Sequence, residues 1–505
     1  MVSRRDVAAI MGGGGGLLVV ALLHWNKKKK NNNNNNKDLD KNKTRHSALS
    51  SRGERLMLPA LPYMEGVMRA FFEPYHAEVA PDGFILLAVA ENKLCWSDIL
   101  MPRVDRYFKL ENLPEWSSGY GPTQGSEDLR KAMALVMARR MYHELPAPCP
   151  FKFGAEDLVL AAGVGAALSN LFYAITEPGD VVLIPAPYYS AFDADLRAFA
   201  DLVRFPVALD DNFCLTPDAL EDAYRRAWRT HGRPPRALLV TNPHNPLGRI
   251  ATVDELRGVV EWCDAKNADG NDLDLVSDEI YALSCFANEK ALLHDAPPLG
   301  ATKFVSLANV VNGDLATHRA HIVWGLSKDF GVSGFRVGAL WSGDNDVKAA
   351  TSTAAIFTAV SGLTQAITAE ILGDHGWITA YVDENARRLA EACVLVEAIL
   401  TKLGLPFVPP LAGMFIFADL SSLLPLLANG GPAEDLWDLE AKMYADLVDN
   451  HHLVLTPGSS QHAKTPGWFR ICYAYVQPDV LKVGMDRLEA YVTGLRATAA
   501  AAGAE

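Results

Sequence analysis

Between residues 155 and 345, short and almost continuously apolar runs alternate with stretches of helical spacing. The runs fall at 157–162, 181–185, 237–241, 273–277 and 320–325, and each gives way to a turn. Segments 196–202 and 253–265, lying between them, carry apolar residues at helical intervals. A strand buried on one face only would alternate apolar and polar residues, whereas one covered on both faces reads as an unbroken apolar run. Strands joined by crossover helices therefore predict an α/β fold, a mostly parallel sheet with helices on both faces. In such sheets ligands bind beyond the carboxyl ends of the strands, so polar residues just past each run are the candidates for chemistry.

The chain has 505 residues, enough for more than one core. Its last 140 residues mix long helical patterns at 384–403 and 434–451 with strand-like runs at 414–419 and 468–475. They predict a smaller α+β domain, completed by chain preceding residue 100. The expected division is 57–115 with 355–505 as the small domain and 116–354 as the large, ligand-binding one. Residues 1–56 carry twelve Lys/Arg against four Asp/Glu, a surplus of +8 that leaves −21 on residues 57–505. So acidic a body argues against a nucleic-acid surface, whose affinity comes from neutralising phosphates. Seven scattered cysteines without a C-x-x-C pair argue for reduced thiols and against a metal site.

Residues 7–25 form an uncharged stretch of nineteen, long enough for a bilayer-spanning helix but weakened by Gly12 to Gly16. Four lysines follow at 27–30. A span here would leave the main body on the cytoplasmic side. A membrane tether, a disordered leader, a wrongly assigned start of translation and a cleaved secretory signal are the alternatives, the last disfavoured by the lysines directly after the apolar run. Residues 26–56, with six consecutive asparagines at 31–36, cannot bury a core and read as a linker.

Three strand ends carry the chemistry. Lys328 leaves the run 320–325 into a Ser/Gly-rich turn, with Ser327 beside it and Arg336 eight residues on. A lysine whose amine is partly deprotonated by burial can condense with an aldehyde cofactor, and Ser327 with Arg336 could hold an anionic group such as a phosphate. Taken alone, a loop lysine is usually a solvated one. Asp278 ends the run 273–277, with Tyr281 three residues later. A buried carboxylate stays ionised only beside a cation, for which a protonated pyridine nitrogen would serve. Asn245 sits in the double-proline turn Asn-Pro-His-Asn-Pro-Leu-Gly at 242–248. Singly, Asp278 could cap a helix and Asn245 could be an ordinary turn residue.

Together NPxNPLG, SDEIY and LSKDFGxxGFRVG resemble the motifs of fold-type-I pyridoxal-phosphate enzymes of aminotransferase class I/II, in that family's order. AENKL at 90–94, PYY at 187–189, PGSSQH at 457–462 and GWFRIC at 467–472 are similar to the 1-aminocyclopropane-1-carboxylate (ACC) synthase branch. The likeness runs over about residues 58 to 495. It implies a large PLP-binding domain, a smaller α+β domain and a homodimer to which Tyr63 or Tyr120 contributes across the boundary. Lys328 would be the Schiff-base lysine and proton shuttle. Asp278 would pair with the pyridine nitrogen, Tyr281 and Asn245 with the phenolate oxygen, and Tyr189 would stack on the ring. Amides near Val164 and Gly165, with Ser327 and Arg336, would meet the phosphate. Arg470 would clamp the substrate carboxylate, with Glu91 and Tyr63 near the substrate side chain.

The sequence departs from the plant synthases at Gly325 (serine there), Thr123 (tyrosine) and Gly165 (threonine), all of which offer a hydroxyl to the cofactor phosphate. Each lost hydrogen bond to a charged group is worth about 1.5–3 kcal/mol before water substitutes. The cofactor should therefore be held less tightly than in a plant synthase, unless Tyr120 compensates. On sequence alone an α-amino-acid aminotransferase is the first expectation. ACC formation from S-adenosylmethionine and C–S lysis are the alternatives. An inactive PLP-fold scaffold is disfavoured because Lys328, Asp278, Tyr281, Asn245, Arg336 and Arg470 are all retained.

Overall fold

The computed structural model describes residues 49–56, 61–109, 113–142, 151–286, 303–428 and 435–502. Residues 7–25, and most of the linker expected at 26–56, lie outside them. Among the described residues no helix is long and apolar enough to cross a membrane.

Seven strands form the large sheet. They are β1 (Leu158–Ala161), β2 (Val181–Ala186), β3 (Val203–Ala208), β4 (Ala237–Thr241), β5 (Asp274–Asp278), β6 (Ala320–Gly325) and β7 (Gly338–Ser342). Their order across the sheet is β1-β7-β6-β5-β4-β2-β3. The strands β6, β5, β4, β2 and β3 run parallel, while β7 is antiparallel to both neighbours. Alternate residues feed two separate cores: Leu183, Leu238 and Val240 enter one, Val182, Ile184 and Leu239 the other. Both faces are thus covered, which is why these strands read as unbroken apolar runs.

Two strands depart from expectation. The helix foreseen at 196–202 is Phe192–Ala198, and the chain then turns into β3. β3 is an edge strand, and Pro206 is tolerated there because one side has no ladder to fill. β7 returns from the Lys328 turn with no crossover helix, which makes the sheet mixed.

This topology gathers the strand ends. Thr241 pairs with Asp278, Asp278 with Val323, and Gly325 with Gly338, which also faces Ala161. The carboxyl ends of β1, β4, β5 and β6 therefore lie along one edge of the sheet. A second, antiparallel sheet contains Thr456–Pro457, Trp468–Cys472, Phe415–Asp419 and Phe407–Val408, in that order. Ile85–Leu86 pairs in parallel with Leu453–Val454, bringing the early segment into this half. The helix His375–Lys402 packs here through Leu389, Cys393, Val396 and Leu400, spaced by three or four residues, and its first turn is capped by Asp374.

Candidate active site

Asp278 closes β5 with its side chain buried, accepting the Ile280 amide at 3.2 Å. Among the described residues no cation comes within ion-pair distance of it. Burial is the main reason its carboxyl is pushed up to about 7, with the Ile280 hydrogen bond and the Lys328 charge pulling back and Asp195 adding to the rise. Such a carboxylate needs a cation to ionise fully.

Lys328 follows β6 in the short helical turn Leu326–Asp329. Its Nζ donates to the Ala90 carbonyl at 2.6 Å. Burial lowers its ammonium below the ordinary lysine range; Glu91 opposes that, and Arg470 and Arg336 reinforce it. Asp329, next in sequence, is buried and accepts from the Leu283 amide (3.0 Å), Ser284 Oγ (2.7 Å) and Trp324 Nε1 (2.8 Å). It thereby ties the lysine turn to the segment that follows Tyr281.

Asn245 and Arg470 meet across the two sheets. Arg470 Nη1 donates to Asn245 Oδ1 at 2.9 Å, and Nη2 donates to the Ala88 carbonyl at 2.8 Å and Thr456 Oγ1 at 3.2 Å. Those bonds use three of the five N–H donors of a guanidinium, and the buried Nε has no partner. Asn245 Nδ2 points to Tyr281 OH at 3.4 Å. Tyr281 is buried edge-on to Phe415, and burial raises its phenol well above the usual value.

The turn after β1 forms a cradle of helix-start amides beside a guanidinium. Gly163 has φ +92°, and a Cβ there would come within 2.5 Å of Arg336 Nη2. Arg336 donates to the Ala162 carbonyl at 3.0 Å and to the Ser333 carbonyl at 3.1 Å. The helix Val164–Ile175 begins here, and Ala166 and Ala167 donate back to Gly163. Among the described residues the Val164 and Gly165 amides have no backbone acceptor, and they carry the positive end of the helix. Ser327 is buried in the adjoining lysine turn.

Glu91 accepts from Ser333 Oγ and lies 3.8 Å from Lys93 Nζ. Tyr63 is buried in the same chain: burial raises its phenol, while the Arg470 charge and hydrogen bonds to Thr456 and Ser190 oppose the rise. Within the one chain Tyr63 therefore lies close enough to Arg470 to feel its charge. Tyr189 is half-buried, edge-on to Phe192, and feels both Arg470 and Asp278. Tyr120 is wholly exposed, so within one chain it does not compensate at the cradle. Thr123 Oγ1 is instead paired with Ser352 Oγ at 2.9 Å.

Sequence reasoning missed four neighbours of this site. Cys472 is buried beside Arg470 and Lys328, and the two-residue strand period from Arg470 would have placed it there. Asp195 is pushed up to about 6 by burial, opposed by Arg336. The Ala88 and Ala90 carbonyls left no side-chain signal.

The residues fit pyridoxal phosphate on three observations. Among the described residues the buried Asp278 carboxylate has no cation at ion-pair distance, the Val164 and Gly165 amides beside Arg336 have no backbone acceptor, and the Lys328 amine is held below its ordinary range. A model of the family described as aminotransferase class I and II matches residues 83–488. The chain is 35% identical to 1-aminocyclopropane-1-carboxylate synthase 5 of Oryza sativa subsp. japonica, over 85% of this chain and 77% of that protein. It is 32% identical to 1-aminocyclopropane-1-carboxylate synthase 2 of Arabidopsis thaliana, over 85% and 83%. Among solved structures it is similar to the Thermus thermophilus aspartate aminotransferase with maleate. There the TM-score is 0.67 at 22% identity, covering 88% of this chain and all of that one. The Rhizobium meliloti aspartate aminotransferase gives 0.69 at 20% identity, covering 88% and 98%.

Proposed function

The chain belongs to the class I and II aminotransferase family of pyridoxal-phosphate-dependent enzymes, and on that premise we propose that it converts S-adenosylmethionine to ACC and methylthioadenosine. Pyridoxal phosphate, when bound, supplies an aldehyde for an amine and an electron sink for the substrate's α-carbon. Lys328 holds the cofactor and then moves the α-proton, for which a lowered amine value suits it. Asp278 would pair with the ring nitrogen, Tyr281 and Asn245 would hydrogen-bond the ring oxygen, and Tyr189 would cover the ring. Val164, Gly165, Ser327 and Arg336 hold the phosphate. Arg470 binds the substrate carboxylate through the N–H groups it has left.

The observation that carries the reading is Glu91. Its carboxylate lies close enough to the Lys328 amine to raise that amine's proton affinity, and a carboxylate so placed would complement a substrate's sulfonium cation. The names of the two plant relatives support the same branch and move the reading away from the first expectation, simple amino transfer. One observation keeps transamination as the second reading: Ser333 and Lys93 already answer part of the Glu91 charge. Incubation with S-adenosylmethionine should release methylthioadenosine. If only an amino acid with 2-oxoglutarate reacts, giving glutamate, the second reading stands. Glu91→Gln should raise KM for S-adenosylmethionine by about tenfold or more, the loss expected for a charged contact.

The weaker phosphate grip is also testable. A Cβ at Gly165 would meet nothing within 4 Å, so Gly165→Thr has room to add a hydroxyl and should tighten cofactor binding about threefold to tenfold. At Gly325 a Cβ would come within 2.6 Å of the Val337 carbonyl. Gly325→Ser should therefore cost about 1–3 kcal/mol of stability, read as a lowered Tm, instead of restoring the bond.

The proposal extends to a homodimer and to the division of the chain. Residues 57–115 with the C-terminal part form the smaller unit, supported by the pairing of Ile85–Leu86 with Leu453–Val454. Helix Gly362–Gly373 packs on Glu127–Arg140 and goes with the larger one.

A further inference from the structure

The turn at 458–462 leaves the sheet that carries Arg470 and lies against the segment 187–190 that carries Tyr189. Three contacts hold them together. The Tyr188 amide donates to the Gln461 carbonyl at 2.8 Å, Ser190 Oγ lies 3.4 Å from Ser460 Oγ, and the His462 ring stacks on Tyr188 at 4.4 Å with a 22° tilt. His462 Nε2 also donates to Asp193 Oδ2 at 2.8 Å. Asp193 is itself anchored, accepting from Tyr188 OH at 2.9 Å and Arg204 Nε at 3.1 Å. Burial alone would raise its carboxyl, but His462, Tyr188 and Arg204 hold it below the usual range. His462 has φ +58°, a conformation non-glycine residues seldom adopt, so the turn presents this ring at a local cost.

Both chain neighbours of Tyr189 are thus gripped from the other sheet. The same turn follows Thr456, which accepts from Arg470. We propose that His462 is a positioning residue: bonded to Asp193 and stacked on Tyr188, it sets the spacing between Arg470 and Tyr189, and so the placement of the substrate between them. This rests on the roles given above to Arg470 and Tyr189. His462 bonds to Asp193 and stacks on Tyr188, not on Lys328, Asp278 or Asn245, so its loss should act chiefly on substrate placement, with only a smaller effect on cofactor affinity through Tyr189.

The test uses the full-length chain and the variants His462→Ala, His462→Gln and Asp193→Asn. For His462→Ala, KM for the amino-acid substrate should rise about tenfold or more, with kcat and cofactor affinity changed less than about threefold. His462→Gln keeps an N–H donor and should recover part of the loss. Hydrogen exchange of the Tyr188 amide should quicken in His462→Ala and Asp193→Asn. An unchanged KM, or a fall in Tm and cofactor affinity that glutamine does not repair, would overturn the proposal. The exchange measurement needs no turnover. If the wild type neither binds pyridoxal phosphate nor reacts, the functional reading fails, and unchanged exchange at Tyr188 would then refute the lock separately.

Discussion

Lys328→Ala is expected to lower turnover by about 10³-fold or more and to abolish the visible absorbance of the cofactor-loaded protein. The expectation follows from where the amine sits. Lys328 Nζ is fixed on the Ala90 carbonyl, and burial, with the Arg470 and Arg336 charges, lowers its proton affinity. Lys328→Arg is the sharper control. It keeps a cation at the position, but a guanidinium does not give up its proton, so it should be as inactive as alanine. If arginine retained a tenth of the activity, the side chain would be acting as a charge and not as a nucleophile and proton carrier. Circular dichroism and Tm should stay near wild type, since the neighbouring Asp329 network holds the turn independently of the amine.

Asp278→Asn should lower kcat by about 10²- to 10³-fold, the usual cost of removing a preorganised electrostatic partner. The substitution keeps the shape and removes only the charge. Because burial lifts this carboxyl to about 7, it is neutral at pH 5.5 unless a cation arrives. Pairing with the ring nitrogen then requires it to release a proton, so cofactor affinity should fall as pH drops from 8 to 5.5. A displacement of 1.5 pH units corresponds to about 2 kcal/mol, roughly 30-fold in Kd. The dependence should vanish in Asp278→Asn. The folded value also lies above the unfolded one of about 3.9, so the unfolded state gives up this proton first. This group therefore favours the cofactor-free fold at low pH, and that contribution is lost as pH rises from about 4 through 7.

Much of this site was legible because its residues sit at strand ends that declare themselves as unbroken apolar runs. Asp278 and Lys328 each follow such a run, and the fold places them on the same edge. The strands β3 and β7 were not legible, for different reasons. β3 is half-exposed, carries Arg204 and Pro206, and lacks the apolar run of a doubly covered strand. β7 begins straight after the Arg336 turn, where a crossover helix would normally announce the next strand. The backbone partners of Lys328 and Arg470, the Ala90 and Ala88 carbonyls, carry no side-chain signal at all. Asp195 sits in the helix Phe192–Ala198 outside every recognised motif, and only its burial near Arg336 brings it to the site. The Asn245–Arg470 bond joins residues 225 positions apart, a separation that local pattern does not reach.

The most direct measurement is to load the purified chain with pyridoxal phosphate, reduce it with borohydride and map the modified peptide by mass spectrometry. The account predicts a single phosphopyridoxyl group, on Lys328, absent when that residue is alanine. Modification spread over surface lysines with Lys328 untouched, or none at all, would contradict it.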